Sequence, residues 1–244
     1  MKQSIWIGWD DSERDAWWVA RQSLLRHITA PISVHKLSLE DVQGRGLYTR
    51  PTREENGQMF DELSVRPDYN GRISTGHANA RFFVPMLAGT GWALFMDGDM
   101  LVRGDLSRCF NGLDPRMAVY CVKHNYWPAE RVKKDGHLQT QYARKNWSSF
   151  MLFNCDHPSN RNFLTLELLN TVPGRDLHAF CWLADQEIGE LAPEWNYLVG
   201  QKVEPVVVHF TEGVPNVPGY ENCEYADEWR SEFARVAGSA SAAE

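Results

Sequence analysis

The feature that most limits the fold of this 244-residue chain is a short apolar run, WALFM, between Gly91 and Asp97. Apolar and polar residues do not alternate in it, which is the pattern of a β-strand buried on both faces. Strands of this kind lie in sheets that helices cover on both sides. The run therefore predicts an α/β protein.

Strand-like and helix-like segments alternate along the rest of the chain. Residues 4–9 are rich in β-formers, residues 13–27 carry an apolar stripe at helical spacing, and residues 32–39 alternate with period two. The same patterns predict further strands at 117–122, 150–154 and 205–210, and helices at 75–87, 160–170 and 181–191. This order favours a mixed central sheet with helices on both faces.

Residues 43–70 have no clear periodicity and are rich in Gly, Arg, Glu, Pro and Asp, which predicts a long surface loop. No linker rich in Pro, Gly or Ser interrupts the chain, so a single domain is expected over residues 1–237. The small and polar residues 238–244 are predicted to form a disordered tail.

Charge and cysteine content limit the partners and the compartment. A net charge of −7 argues against binding to nucleic acid, which requires clustered Lys and Arg. The five cysteines are odd in number and include no CxxC pair, as is typical of a reducing compartment. No stretch of 18 apolar residues occurs. A cytoplasmic protein without a transmembrane segment is therefore expected, with peripheral contact to a membrane left open.

Two carboxylates, Asp97 and Asp99, follow the apolar run and flank Gly98. Ligands bind at the carboxyl ends of strands in open α/β sheets, and residues two apart in an extended segment face the same side. Carboxylates held together in this way suit Mg²⁺ or Mn²⁺, which commonly also binds substrate phosphates. An isolated DxD is often only a turn capped by aspartate, but the apolar strand before this one favours a cation site.

His209 lies near the end of a second apolar segment, PVVVHF, and a loop with Gly213 and Pro215 follows it. A single histidine at a strand end is more often a hydrogen-bonded core residue, so its assignment depends on the acidic pair. Because imidazole is a common ligand of transition metals, Asp97, Asp99 and His209 would make a three-residue metal set.

The order of these segments resembles family 8 glycosyltransferases. The matching parts are Asp10-Asp11 after the first strand, Arg81 within HANARFFVPML, the block LFMDGDMLVRGDL, the strand FMLFN, the residues ADQE and the segment HFTEGVP. The resemblance implies the GT-A fold, which is Rossmann-like with a mixed central sheet. It also implies a retaining enzyme that uses a nucleotide-diphosphate sugar, with a UDP-sugar as the expected donor.

The resemblance further implies roles for individual residues. Asp97, Asp99 and His209 would bind Mn²⁺ or Mg²⁺, and Asp10 and Asp11 would contact the nucleoside. Arg81 would lie near the donor sugar or diphosphate, and Ser149 and Asn154 near the sugar pocket. Asp185 would hold sugar hydroxyls, and Gln186 would lie under the anomeric carbon. The full donor-binding set is Asp10, Asp11, Arg81, Asp97, Gly98, Ser149, Asn154 and Gly213.

The chain departs from the family pattern at two places. Trp147-Ser148-Ser149 replaces the Asn-Ser-Gly that precedes the strand FMLFN, and no Lys precedes the segment at Pro215. That Lys meets the diphosphate in the family. In this chain the cation, Arg81 or Lys202 would have to supply the positive charge that meets the diphosphate.

These observations predict a metal-dependent glycosyltransferase that moves a hexose from a nucleotide-diphosphate sugar to an unknown glycan or other small acceptor. Because Gln186 is a poor nucleophile, attack on the same face, assisted by the leaving phosphate, is the expected route to retention. Two alternatives remain at this stage. One is a nucleotidyltransferase that makes a nucleotide sugar, and the other is a catalytically weak nucleotide-sugar-binding protein.

Overall fold

The computed structural model describes residues 1–67, 69–125 and 144–241. Its strands are β1 (Gln3–Gly8), β2 (Ser33–Leu37), β3 (Thr52–Glu55), β4 (Gln58–Arg66), β5 (Tyr69–Arg72), β6 (Trp92–Met96), β7 (Met100–Val102), β8 (Val119–Cys121), β9 (Phe150–Asn154), β10 (Ile188–Glu190), β11 (Tyr197–Leu198) and β12 (Val207–His209). Its α-helices are α1 (Arg14–His27), α2 (Leu39–Gly44), α3 (His77–Ala80), α4 (Val84–Ala88), α5 (Pro158–Asn162), α6 (Leu166–Thr171), α7 (Gly174–His178) and α8 (Ala226–Ser241).

A six-stranded mixed sheet, in the order β10-β8-β9-β6-β1-β2, forms the centre of the molecule. β1 is parallel to β2 and to β6, whereas β9 runs antiparallel to β6 and β8. The predicted strand over WALFM is β6, and all five of its residues are buried. The expectation of a mixed central sheet is confirmed.

Both faces of this sheet are covered, because alternate residues of each strand enter different cores. Ile5 and Leu94 pack on one face with Leu24 of α1. Trp6 and Phe95 pack on the other face with Phe83 and with residues of α6 and α7. Burial on both sides explains why β6 is apolar throughout instead of alternating.

A small second sheet, in the order β11-β12-β7, continues from the end of β6. β12 is antiparallel to β7, and His209 pairs with Met100. Because β7 begins directly after Asp99, this register brings His209 beside the acidic pair although the two are more than 100 residues apart in sequence.

A third sheet, β3-β4-β5, lies where the sequence predicted a long loop, so that prediction is wrong. The hairpin between β3 and β4 turns at Asn56-Gly57, both with positive φ, a pair favoured in tight turns. The register shifts between Phe60 and Val65. This irregularity, together with many charged side chains, hides the period-two pattern from a sequence reading.

Three helix predictions also need correction. The segment 75–87 is α3, a 3-10 turn at Arg81–Phe83 and α4, with Pro85 in the first turn of α4. The segment 160–170 contains the end of α5 and most of α6. The segment 181–191 is not one helix but a 3-10 turn, Asp185–Glu187, followed by β10.

The C-terminal helix α8 was not predicted, and it packs on α1. It reaches Ser241, so its last turn falls within the segment expected to be a tail, whose residues 242–244 lie outside the described part of the chain. Among the described residues, none of the helices has the length and apolar character needed to span a membrane.

Candidate active site and metal centre

The strand directions bring the polar residues of the site to one edge of the central sheet. Parallel β1 and β6 both end there, which places Asp10 and Asp97 at the same edge. Antiparallel β9 begins there, and the backbone carbonyl of Ser149 accepts a hydrogen bond of 3.0 Å from the amide of Asp97. This edge is where a ligand would be expected in an open α/β sheet.

Asp97, Asp99 and His209 form a compact group, with one ligand atom from each lying within 4.8 Å of the others. His209 Nε2 lies 3.3 Å from Asp99 Oδ1 and 3.8 Å from Asp97 Oδ2. His209 is buried, whereas the two carboxylates are partly open to solvent. The three side chains predicted from the sequence to meet are therefore brought together.

The orientation of His209 is set by Asn196, which is fully buried. Asn196 Oδ1 lies 3.0 Å from His209 Nδ1, and its Nδ2 donates to Ser149 Oγ at 2.9 Å. Because the Asn196 oxygen can only accept, Nδ1 carries the proton and Nε2 faces the carboxylates. A partner of this type is typical of a histidine that binds a metal.

Asp97 has two further basic neighbours, His77 and Arg81. Arg81 Nη2 lies 2.9 Å and His77 Nε2 3.3 Å from Asp97 Oδ1. Burial by itself would raise the pKa of Asp97, but the charge of Arg81 and the hydrogen bond from His77 lower it far below the usual range. Asp97 is therefore ionised at every pH at which the protein would be assayed.

The carboxylates also act on His209. Burial favours its neutral form, yet the charge of Asp99 and a hydrogen bond to it raise the pKa of His209 above the ordinary value. The carboxylates thus favour the protonated form of His209. A divalent cation would displace the proton.

The group opens into a cavity of about 740 Å³, a size typical of ligand sites. Its wall combines the turn after β1, the β5–α3 connection, the turn before β9 and the loop after β12. Besides the three clustered residues, the wall includes Asp11, Arg81, Ser149 and Gly213 from the predicted set. The sequence prediction thus identified residues from the turn after β1, the turn before β9 and the loop after β12, but none from the β5–α3 connection.

Two other predicted residues, Asp10 and Gly98, lie behind this wall. Asp10 accepts hydrogen bonds from the backbone of Ser12 and Gly76 at 2.9 and 2.6 Å, so its carboxylate organises the turn. At Gly98 a Cβ would lie 2.5 Å from the Gly8 carbonyl oxygen. Gly98 therefore permits the close approach of β1 to the acidic turn, while Asp11 is the member of its pair that reaches the cavity.

Asn154 lies at the far end of the β6–β9 pair, so its predicted position near the sugar pocket is wrong. The antiparallel register pairs Asn154 with Trp92, while Phe150 pairs with Met96 next to the acidic turn. The Asn154 side chain donates to the Pro115 carbonyl at 3.0 Å. Ser149 and Asn154 flank one strand and must therefore lie at opposite edges of the sheet.

Asp185 and Gln186 are exposed in the 3-10 turn before β10, and neither lines the described part of the cavity. Asp185 pairs with Arg144, which also donates to the Ala179 carbonyl at 2.6 Å. The structure thus does not bring Asp185 and Gln186 to Asp97, Asp99 and His209. Their proposed catalytic roles stay predictions.

Sequence reasoning missed several residues of the site. His77 and Asn196 contact the cluster, and Arg72 and Lys145 line the cavity. Lys202, proposed as a substitute for the missing family Lys, is exposed and does not line the cavity. His77 lies four residues before Arg81, a helical spacing that could have identified it; Asn196 gives no comparable signal.

The donor set fits a hard or borderline divalent cation. Two carboxylate oxygens and one imidazole nitrogen match the ligand preferences of Mn²⁺, and Mg²⁺ would use the carboxylates. Asp99 Oδ1 is buried, and the contact that the described residues offer it is His209 Nε2 at 3.3 Å. A buried carboxylate oxygen with so long a contact is poorly satisfied, and a cation would satisfy it.

Comparison with solved structures identifies the fold. The chain superposes on the bifunctional glycosyltransferase WbbM with a TM-score of 0.62 and 16% identity, over 96% of this chain and 50% of that one. For the glycosyltransferase GlyE of Streptococcus pneumoniae TIGR4 the values are 0.58, 14%, 98% and 63%. For the galactosyltransferase LgtC, bound to donor and acceptor sugar analogues, they are 0.55, 14%, 95% and 95%.

These proteins share the GT-A fold, and the expected fold class is therefore confirmed. The chain spans half of WbbM and less than two thirds of GlyE. At such low identity the likeness establishes the fold and leaves activity to be argued from the site.

Comparison by sequence gives a nearer relative. No protein-family model matches the chain. Protein CDI of Arabidopsis thaliana is 36% identical over 238 residues, which cover 94% of this chain and 85% of that protein. Identity of this extent along nearly the whole chain means that this protein belongs to the same family as Protein CDI of Arabidopsis thaliana.

Proposed function

We propose that this protein is a metal-dependent, retaining glycosyltransferase of the family 8 type, which transfers a hexose from a UDP-sugar to a small acceptor. The observation that carries the proposal is the Asp97–Asp99–His209 group at the edge of the cavity. The GT-A fold supports it, since the group lies after a central strand of that fold. Glycosyl transfer from a diphosphate donor uses this combination of cation site and cavity.

Asp97, Asp99 and His209 Nε2 would hold Mn²⁺ or Mg²⁺ together with the donor phosphates. When bound, the cation supplies Lewis-acid stabilisation of the negative charge on the leaving diphosphate. Arg81 keeps Asp97 ionised and fixes its position, because it also donates to the Ser148 carbonyl at 2.9 Å. Arg72 and Lys145 add positive charge to the cavity wall, where the family Lys is missing.

The residues around the turn after β1 disfavour a nucleotidyltransferase. Such enzymes bind a triphosphate with a glycine-rich, basic loop, whereas Asp11 and Glu13 line the cavity here. Burial and the nearby charges of Asp99 and Asp97 raise the pKa of Glu13 to about 7. Glu13 is therefore partly protonated near neutral pH, and repulsion of a triphosphate at this turn rests mainly on Asp11.

Retention by same-face attack remains part of the proposal, with Asp185 and Gln186 as candidates for contact with the sugar. This role requires the 3-10 turn at Asp185–Glu187 to approach the cavity, since neither residue lines its described wall. Gln186→Ala should lower turnover if the approach occurs. Unchanged kcat and KM for Gln186→Ala would remove Gln186 from the site, while the metal group would stand.

The decisive experiment is donor consumption with a panel of UDP-hexoses, with Mn²⁺ and with chelator. Release of UDP that requires the cation and is lost in Asp99→Asn is expected, and NMR of the product should show the donor's anomeric configuration. Formation of a nucleotide sugar from NTP and sugar phosphate would instead establish the nucleotidyltransferase. Donor binding without any UDP release would indicate a binding protein.

A further inference from the structure

His77 is a buried histidine beside the cation group, and it is the first residue of α3. Its side chain is 2% exposed, yet it forms part of the wall of the large cavity. The centre of its ring lies 6.2 Å from that of Phe95 of β6, two residues before Asp97. His77 therefore lies between α3 and the carboxyl end of β6.

The backbone of β1 closes off another side of this ring. A Cβ atom at Gly8 would lie 2.6 Å from Cδ2, 2.7 Å from Cγ and 2.9 Å from Nε2 of His77. Such distances are too short for a Cβ atom, so only glycine lets the ring lie directly against the strand. Gly8 pairs with Leu37 of β2, which fixes the strand behind the ring. The imidazole of His77 therefore cannot shift toward β1.

Two basic side chains, four residues apart, contact the same oxygen of Asp97. His77 Nε2 lies 3.3 Å and Arg81 Nη2 2.9 Å from Asp97 Oδ1. Because a carboxylate only accepts hydrogen bonds, the nitrogen of His77 that donates to it is Nε2. The other oxygen, Oδ2, lies 3.4 Å from Arg81 Nη1 and 3.8 Å from His209 Nε2. The contacts at Oδ1 thus set the rotation of the carboxylate and turn Oδ2 toward His209.

Apart from Asp97, the partners of His77 are poor. Its Nδ1 is buried and has no hydrogen-bond partner in the part of the chain that the structure describes. The further neighbour of Nε2 is Thr75 Oγ1 at 3.3 Å. A buried nitrogen without a partner costs free energy, which an apolar side chain would avoid. The contact with Asp97, and not a gain in stability, is therefore what explains a histidine at this position.

We propose that His77, seated against Gly8, is a positioning residue that fixes the orientation of Asp97 for cation binding. Arg81 contacts the same oxygen, but the terminal torsion of an aspartate is soft, so one partner leaves the carboxylate able to turn. The second contact, from a ring that cannot move toward β1, limits that rotation. Partners that orient metal ligands typically change metal affinity by about 10- to 100-fold. The inference rests on the proposed function, since it needs the proposed cation.

Two substitutions of His77 separate its contact with Asp97 from its packing. Both supply an amide donor, but the nitrogen of His77→Gln reaches about as far as Nε2, whereas that of His77→Asn ends near the position of Nδ1. Both remove a buried imidazole, so the two variants should lose similar amounts of melting temperature without metal. EPR of free Mn²⁺ during titration with protein, with and without UDP, measures the affinity without turnover.

The dissociation constant for Mn²⁺ should rise about 10-fold in His77→Asn and less than about 3-fold in His77→Gln. The control is His35→Asn, because His35 lies outside the cavity wall, and this variant should bind Mn²⁺ as wild type does. Equal losses in His77→Gln and His77→Asn would mean that His77 acts by packing alone, and would overturn the proposal.

Gly8→Ala tests the seat of the ring independently. Its methyl group should push His77 away from Asp97 and weaken Mn²⁺ binding about as much as His77→Asn does. The double variant of Gly8→Ala with His77→Asn should be no weaker than the single variants, because both act through one contact. Losses that multiply in the double variant would refute the role of Gly8 as the seat of the ring.

Failure of the proposed function and failure of this inference give different results. If wild-type protein leaves the EPR signal of Mn²⁺ unchanged with and without UDP, the cation site is absent and both proposals fail. If wild type binds Mn²⁺ and His77→Asn binds it equally well, the cation site stands and His77 has no part in positioning it.

Discussion

Two arginine–aspartate pairs lie close to the cavity, and they differ in access. Arg81 and Asp97 are 2.9 Å apart, and the carboxylate is 15% exposed beside His209. Arg50 and Asp61 are 2.7 Å apart, and both side chains are 0% exposed. The chemistry of the pairs is the same, but only the first has an opening through which a ligand can reach it.

The difference shows how one type of contact can serve either reactivity or structure. Arg50 and Asp61 form what we call the closed pair. Arg50 also donates to the Leu169 carbonyl at 2.6 Å, so the closed pair joins the β3-β4-β5 sheet, the hairpin sheet, to α6. Arg81 and Asp97 form the open pair. Asp97 lies beside a second carboxylate, Asp99, and beside His209, whose orientation is fixed, so the open pair can still bind a cation. Burial costs both pairs desolvation energy, and only the closed one must recover all of it from protein contacts.

The largest expected effect tests the closed pair. Arg50→Met should destabilise the protein by about 3–5 kcal/mol, because it leaves Asp61 buried without a cationic partner. Urea unfolding followed by circular dichroism measures this. The double variant Arg50→Met with Asp61→Leu should recover part of the loss. If Arg50→Met unfolds at the wild-type urea midpoint, the closed pair is not structural.

Asp99→Asn tests the open site and should act on activity instead of stability. Cation-dependent turnover should fall about 100-fold, or about 2.7 kcal/mol, since a charged ligand is lost. The melting temperature without metal should stay close to that of wild type, because the Asp99 side chain is 21% exposed and His209 keeps Asp97 as an acidic neighbour. Glu62→Gln, an exposed change outside the cavity wall, is the control. Full activity of Asp99→Asn in chelator-treated buffer would contradict the cation site.

Substitutions of Asn196 should have a smaller effect on the same site, because Asn196 acts on it through His209. Asn196→Leu removes the acceptor for His209 Nδ1 and should weaken activation by Mn²⁺ about 10-fold. Asn196→Asp keeps an acceptor oxygen and should retain most of the activation. Mn²⁺ titrations of UDP release provide the readout. Equal losses in the two variants would mean that Asn196 acts only by packing.

The smallest expected effect concerns His178, whose pKa responds to charges from both arginine–aspartate pairs. Burial, together with the charges of Arg81 and Arg50, lowers the pKa of His178 to about 3. The unfolded chain therefore binds a proton there below about pH 6.5 that the folded chain does not, and stability falls as pH decreases through this range. His178→Asn should reduce this loss by about 1 kcal/mol at about pH 5.8. Melting temperatures from pH 7 to 4.5 measure it, and parallel curves would contradict it.

The parts of the fold that the sequence predicted correctly are those with strong local patterns. β6 and β9 are continuous apolar runs because both of their faces are buried. The acidic turn follows β6 directly, so its location needed no knowledge of the tertiary structure. The hairpin sheet was missed because β4 carries a register shift and charged residues, which leave no clear period.

The candidate site was predicted in part for a similar reason. A residue next to a strand end, such as Ser149, could be placed from the strand itself, but Asn154 was assigned to the wrong edge because strand direction is not written in the local pattern. His77 and Asn196 act through contacts with Asp97 and His209, and Asn196 reaches its partner only after the chain folds.

The sequence by itself determined that this chain forms an α/β sheet and that two carboxylates, Asp97 and Asp99, follow the end of a buried strand. These features depend on neighbouring residues, whose spacing is visible in one dimension. Only the tertiary structure decided which arginine–aspartate pair is open, how His209 is aimed and that His77 lies between Gly8 and Asp97. Those properties depend on strand order and burial, which arise when distant segments pack together.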